Sequence, residues 1–249
     1  MSTKITQEVI FGSAPPTGYS LLPLLNCARM ILTRKEILEE LHSGAIRFTP
    51  AIDGFQLQPH AVDLRLGYKF LIPKNWRAHE THGRQAIKTS IDESEAHKEQ
   101  YDEIVLKPGQ YFELTPNEFV IGTSLEHVEL SSPNLMALLF PRTSTNRRGI
   151  NLSLSGIIDA HYKGNLIFPM KNEAGNQVIR MYPGERVCQV IFERLASPIT
   201  PEEAKRHGLT QAKYSESDEI YKLDKEEERK MIIEGRLDEM KTRFPISNT

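Results

Sequence analysis

Between Ala45 and Leu195 short apolar-rich runs alternate with Pro, Gly and Asn punctuation. The first are AIRFT from Ala45, GFQLQ from Gly54, VDLRL from Val62 and YKFLI from Tyr68. EIVLK, PGQYFELTP, EFVIGTS, HVELS and LMALLFP follow between Glu103 and Pro141. GNLIFPMKN, QVIRMYP and RVCQVIFERL close the series between Gly164 and Leu195. Short runs of this kind, recurring roughly every eight to twelve residues, predict a sandwich or barrel of β-strands.

Helical patterns flank this region. Thr33 and Glu36 form a capping box, Ile37, Leu38 and Leu41 fall at helical spacing, and Gly44 ends the run. From Glu219 to Phe244 a thin apolar stripe (Leu223, Met231, Ile232, Leu237, Met240) among dense charge predicts one exposed helix. Residues 74–102 are polar and lack apolar periodicity, so they read as an exposed excursion. The division is an N-terminal extension over 1–29, a mostly β domain over 30–197, and a tail with a charged helix over 198–249.

Composition narrows the function. The formal net charge of −2 over 249 residues lacks the basic excess of a general nucleic-acid binder, so no nucleic-acid partner is expected. Cys27 and Cys188 lie far apart, which predicts neither a disulfide framework nor a metal site of the CxxC kind. This fits a reducing cytoplasm. No signal peptide is evident, and no apolar run approaches the roughly 18 residues of a membrane span, so no membrane partner is expected. His79, His82 and His97 fit no single helix face with a carboxylate partner and are read as loop residues rather than metal ligands.

Candidate chemistry concentrates between Pro141 and Gly164. Arg142, Arg147 and Arg148 offer forked donors suited to phosphate oxygens. Thr143, Ser144 and Thr145 add hydroxyls, and a short helix beginning here would add amide N–H groups. Asp159 follows the apolar pair Ile157 and Ile158; it is either a general base that activates water or a turn residue that caps local amides. Tyr162 either stacks on a sugar or covers the core, and Gly164 suits a turn or bulge.

Four blocks resemble the dCTP deaminase and trimeric dUTPase superfamily. Residues Pro59 to Gly67 resemble the deaminase SVDLRLG block. Pro141 to Ser144 resemble the dUTPase PRSG block, and the run on to Gly149 resembles the deaminase RSSLARLG block. Gly156 to Gly164 resemble the dUTPase GVIDxDYxG block, and Pro183 to Ile191 resemble the PGERIAQ block. The resemblance spans about residues 30–225. It implies a distorted β-barrel or jelly roll in a homotrimer, with active sites between subunits. It also implies dUTP or dCTP as substrate, and magnesium held largely by the phosphates.

Within that resemblance Asp159 matches the water-activating aspartate and Tyr162 the sugar-stacking aromatic. Arg142, Thr143, Ser144, Arg147, Gln189 and Lys213 with Tyr214 (in an AKY-like segment) match nucleotide-binding positions. Backbone groups along Ser153 to Ile158 face the base, and Asp63 either supports the site or a magnesium-bound water or is structural in its strand. The deaminase glutamate lies ten residues after the aspartate, where this chain has Pro169; the asparagine three residues further is present as Asn172. The glycine-rich dUTPase lid, RGxxGFGSTG, is absent, and Ser217 stands where deaminases have a glutamine. The expected activity is hydrolysis of dUTP to dUMP and pyrophosphate. The alternatives are deamination of dCTP to dUTP and a non-catalytic, nucleotide-binding or regulatory relative.

Overall fold

The structure is a computed structural model that describes residues 31–81, 83–87, 100–154, 156–204, 206–207, 210–211 and 227–243. Helix α1 (Arg34–Ser43) opens it. The Thr33 amide and hydroxyl both donate to Glu36 Oε2 at 2.9 Å, and Gly44 ends the helix at φ 79°. Ile37 is the residue that α1 buries fully. Strands β1 (Ile46–Thr49) and β2 (Val62–Pro73) follow, then the hairpin of β3 (Trp76–His79) and β4 (Gly83–Ala86). Next come β5 (Tyr101–Val105), β6 (Phe112–Leu114), β7 (Phe119–Leu130) and β8 (Leu135–Pro141). The short helix α2 (Thr143–Arg147) leads into β9 (Ile150–Leu152), β10 (Ile157–Ile158), β11 (Lys163–Asn172), β12 (Ile179–Met181) and β13 (Arg186–Arg194). Helix α3 (Pro201–Ala204), the pair β14 (Arg206–His207) and β15 (Thr210–Gln211), and helices α4 (Glu227–Ile233) and α5 (Leu237–Arg243) complete the described elements.

The main sheet has the order β10-β8-β13-β2-β7-β11-β9, with β1 attached to β7 and β5 to β2. Strand β2 changes partners along its length. Its first half pairs with β13, its second half with β5 and β7. The switch falls at Gly67, where the β2–β7 register shifts. A Cβ there would lie 3.0 Å from the carbonyl oxygens of Thr123 and Ser124, so only glycine lets the strands approach this closely. The sheet thereby curls into an incomplete barrel, in line with the sandwich or barrel expected from the strand pattern and the distorted β-barrel or jelly roll implied by the resemblance. Phe70, Phe168, Phe192, Leu64 and Leu66 fill it, and Phe70 stacks on Phe112 at 4.8 Å.

Some boundaries differ from the pattern. GFQLQ is a turn, because the Asp53 carboxylate captures the Phe55 amide at 2.8 Å; of that run only Leu57 makes a bridge, to Val62. VDLRL and YKFLI are one strand, β2, and EFVIGTS and HVELS are one strand, β7. The polar interruption at Ser124 and Glu126 is a buried network rather than a turn: Ser124 Oγ donates to the Glu126 carbonyl and accepts from the Leu166 amide. The excursion carries the β3–β4 hairpin, where Arg84 lies 4.9 Å above the Trp76 ring. The single C-terminal helix is instead two, α4 and α5, divided at Gly235 (φ 72°). A left-handed glycine closes a helix rather than continuing it. Among the described residues no helix is long and apolar enough to cross a membrane. Residues 1–30, His82, His97, Lys213, Tyr214 and Ser217 lie outside the described residues.

Candidate active site

The sequence VDLRL places Val62, Leu64 and Leu66 toward the core and Asp63 and Arg65 on the opposite face of β2. Asp63 is nevertheless only 1% exposed. It is covered by two arginines: Oδ2 lies 3.0 Å from Arg142 Nε and 3.1 Å from Arg186 Nη1. Burial pushes the Asp63 carboxyl above its ordinary range, and the charges of Arg142 and Arg186 pull against that rise. Arg142 also donates from Nη1 to the Arg186 carbonyl at 3.0 Å, and its amide donates to the Val187 carbonyl at 3.1 Å. Arg142 is thus the fixed head of α2.

Helix α2 is pinned from both ends. Thr145 is buried, and its hydroxyl donates to the Val187 carbonyl at 3.0 Å, so it is not available to a ligand as the sequence suggests. Gly149 follows at φ 84°, where a Cβ would meet Ala174 at 2.5 Å. The pins leave Thr143, Ser144 and Arg147 exposed. Among the described residues Arg147 has no ion-pair partner, whereas Arg148 is spent on Glu185 and on the Arg180 carbonyl. Gln189 sits half-buried in β13 between Phe140 of β8 and Asp63 of β2.

A second buried carboxylate, unforeseen from sequence, supports this face. Glu126 is 1% exposed; Oε1 accepts from Gln56 Nε2 at 2.7 Å and Oε2 from the Arg65 amide at 3.0 Å. Gln56 Nε2 also donates to the Asp63 carbonyl at 2.9 Å, so Glu126 and Gln56 together set the backbone on both sides of Leu64. Burial raises the Glu126 carboxyl above its ordinary range, against the pull of the Arg65 amide. Arg186 joins this site from the PGERV run, where its local sequence carries no sign of the Asp63 contact.

Asp159 lies elsewhere. Ile158 of β10 pairs with Ala137, near the start of β8, while Arg142 follows the end of β8. At roughly 3.4 Å per residue, Asp159, one residue beyond the Ile158–Ala137 pair, and Arg142 of one chain stand about 20 Å apart along that strand. The chain does not by itself bring its arginines and this carboxylate together. Asp159 is exposed, in a turn closed by the Tyr162 amide donating to the Asp159 carbonyl at 3.2 Å. Tyr162 packs against the core, and its hydroxyl donates to the Asn165 carbonyl at 3.0 Å. Ile158 is buried and Ile157 is 57% exposed.

The sequence profile described as dCTP deaminase-like matches residues 31–195. The chain belongs to the dCTP deaminase-like family. It is 33% identical to a "dCTP deaminase, dUMP-forming" of Methanobrevibacter smithii over 68% of this chain and 82% of that one. It is 34% identical to a "dCTP deaminase" of Halorubrum lacusprofundi over 76% of this chain and 88% of that one. The crystal structure of a 2'-deoxycytidine 5'-triphosphate deaminase from Agrobacterium tumefaciens shares the fold, with a TM-score of 0.51 at 21% identity. That match covers 71% of this chain and 51% of the other.

Against the dCTP deaminase-like pattern, Pro169 and Asn172 have clear places. Pro169 is half-buried on the outer face of β11, opposite Ile121 of β7. Its carbonyl accepts from the Ser153 amide at 2.9 Å, just past the end of β9. Its own missing N–H faces that same side, so the ladder to β7 loses no bond. Asn172 is fully buried: Nδ2 donates to the Leu114 and Gln177 carbonyls, and Oδ1 accepts from the Ala174 amide. It is a structural amide at the end of β11. Glu173 accepts from Asn151 Nδ2 at 3.1 Å. Among the described residues no three His, Cys, Asp or Glu side chains cluster to hold a metal ion.

Proposed function

We propose that this protein acts on a pyrimidine deoxynucleoside triphosphate, dCTP or dUTP, and releases dUMP. The observation that carries this reading is the division of labour along β8. A pinned arginine cluster with exposed Arg147 stands at one end, and an exposed carboxylate in a tight turn stands at the other. In this reading Arg142, Arg147, Thr143 and Ser144 hold the phosphate chain, joined by Lys213, Tyr214 and Gln189. Tyr162 covers the sugar, and backbone up to Ile158 faces the base. Asp159 orients and deprotonates a water for in-line attack on the α-phosphorus, and pyrophosphate leaves; from dCTP a second water adds at C4 of the base and the amino group leaves as ammonia, so that the product is dUMP. The arginines stabilise the charge that builds on the phosphate oxygens. Asp63, committed to Arg142 and Arg186, supports the site; magnesium, if bound, would be held by the substrate phosphates and would neutralise their charge.

The names of the relatives favour deamination of dCTP over hydrolysis of dUTP alone. A plain dUTP diphosphatase, the expectation drawn from Asp159 and Tyr162, therefore becomes the second reading. One observation favours it: Pro169, with no proton to give, faces Ile121 where a deaminase glutamate would stand.

The split of the site along β8 further supports a homotrimer in which one chain's Asp159 meets a neighbour's arginines. The outer sheet face supplies a surface for it: Ile157 is 57% and Phe140 42% exposed, beside half-buried Leu138 and Ile191. We place the enzyme in the cytoplasm, where the buried, unpaired Cys188 thiol is at home.

The test is incubation of the full chain with magnesium and either dCTP or dUTP, following ammonia and pyrophosphate separately. Ammonia and pyrophosphate from dCTP uphold the first reading, and pyrophosphate from dUTP alone upholds the second. Neither product, with nucleotide still bound, makes this a non-catalytic relative. Loss of pyrophosphate release in Asp159→Asn checks the assigned base.

A further inference from the structure

His161 holds a backbone conformation that its side chain does not favour. It is the third residue of the Asp159–Tyr162 turn, with φ 63°. That position in a turn closed by a bond from fourth to first residue normally takes glycine. Such an outlier persists only where surrounding contacts over-determine it.

The contacts are present. His161 Nε2 lies 2.9 Å from the Ile199 carbonyl oxygen. A carbonyl only accepts, so Nε2 carries the hydrogen. The Ile199 amide in turn donates to the Pro133 carbonyl at 2.9 Å, and the Leu195 amide to the Asn134 carbonyl at 2.8 Å. The segment after β13 is therefore laid along the β7–β8 turn before it meets His161. The Tyr162 carbonyl accepts from the Leu130 amide at 2.9 Å, which ties the Asp159 turn to the end of β7. Three chain segments meet at this point. The imidazole joins the Asp159 turn to the post-β13 segment.

We propose that His161 is a positioning residue. Its bond to the Ile199 carbonyl locks the turn that carries Asp159 and so fixes the direction of that carboxylate. The inference rests on the role given to Asp159 under the proposed function.

The experiment compares wild type, His161→Gly and His161→Asn in the full chain. Glycine relieves the left-handed backbone and removes the imidazole; asparagine tolerates that backbone and keeps a shorter donor. Hydrogen exchange is followed in peptides covering 157–164 and 195–201, beside steady-state kinetics on whichever of dCTP or dUTP the wild type turns over. In His161→Gly, exchange of both peptides speeds up about tenfold while the rest of the barrel is unchanged. Its kcat falls about tenfold with KM within about twofold, because a displaced base costs the chemical step more than binding. His161→Asn falls between. Unchanged exchange overturns the lock, and faster exchange with unchanged kcat overturns the positioning role. If the wild type releases neither ammonia nor pyrophosphate, the proposed function fails; exchange alone then decides whether the lock exists, and the positioning role falls with the function.

Discussion

Asp63 on β2 and Arg142 at the head of α2 meet through a 3.0 Å contact between Oδ2 and Nε. Arg186 approaches the same oxygen at 3.1 Å, so one buried carboxylate sets the place of two guanidinium groups. Removing it leaves two cations crowded together without a counter-charge. Asp63→Ala should cost about 3 kcal/mol of stability, as for a broken, largely buried pair. The measurement is urea denaturation, and a midpoint equal to wild type would show that the pair is idle. Triphosphate affinity should fall as well, since the head of α2 loses its anchor.

Glu126 gives a pH signature. Its folded carboxyl is raised by burial, so ionisation costs the folded state more than the unfolded one. That cost is absent below the ordinary carboxylate range and grows as pH rises through the raised value. Glu126→Gln cannot ionise. It also turns an amide donor toward Gln56 or the Arg65 amide, at a cost of about 1–3 kcal/mol. Wild type should therefore be the more stable of the two at about pH 4, with the gap narrowing toward neutrality. Thermal melts of both proteins across that range check the sign, and a widening gap would contradict it.

Much of the barrel is legible in the sequence because its strands alternate cleanly; Leu166, Phe168 and Met170 inside and Ile167 and Pro169 outside are one example. The continuity of β7 is not legible, because Ser124 and Glu126 look like a polar break until their partners 40 or more residues away are seen. The alternation of VDLRL sets Asp63 on the face of β2 opposite Leu64; its burial comes from Arg142 at the head of α2 and Arg186 at the start of β13, which no local pattern carries. The motif around Arg142 points to phosphate chemistry. It does not show that Arg142 and Asp159 lie at opposite ends of β8, since that depends on how β10 pairs.

Pro169 offers a gain-of-function test. Replacing it by glutamate adds an N–H on the side where β9 has ended, so the ladder to β7 is untouched. The new carboxyl faces outward beside Ile121. If the missing acid limits deamination, Pro169→Glu should raise ammonia release from dCTP at least about a hundredfold, the low end for a positioned acid–base group. Pyrophosphate release from dUTP should stay within about twofold. A wild type that already releases ammonia as fast as the variant would show that another group moves the proton.

The exposed ring of Phe140 tests the assembly. It is 42% exposed on the outer face and contributes little to the isolated chain. Phe140→Glu should leave the melting of the monomer nearly unchanged yet weaken association, since a buried unpaired carboxylate would be repeated at each contact. Sedimentation velocity against protein concentration reads this directly. Wild-type association by the variant would move the interface elsewhere.

A subunit-mixing experiment asks whether one site draws on two chains. Asp159→Asn removes the candidate base, and Arg147→Ala removes the exposed candidate phosphate ligand on α2. Within one chain these positions stand at opposite ends of β8, so a site that uses both takes them from neighbours. Each variant alone should be nearly inactive. Coexpressed in equal amounts they should assemble mixed trimers. A site then works when its aspartate comes from an Arg147→Ala chain and its arginine from an Asp159→Asn chain, which is about a quarter of all sites for random assembly into a closed ring. Pyrophosphate or ammonia release near that fraction of wild type supports a shared site. If both residues served one site within one chain, every chain would lack one of them and the mixture would stay as inactive as its parents.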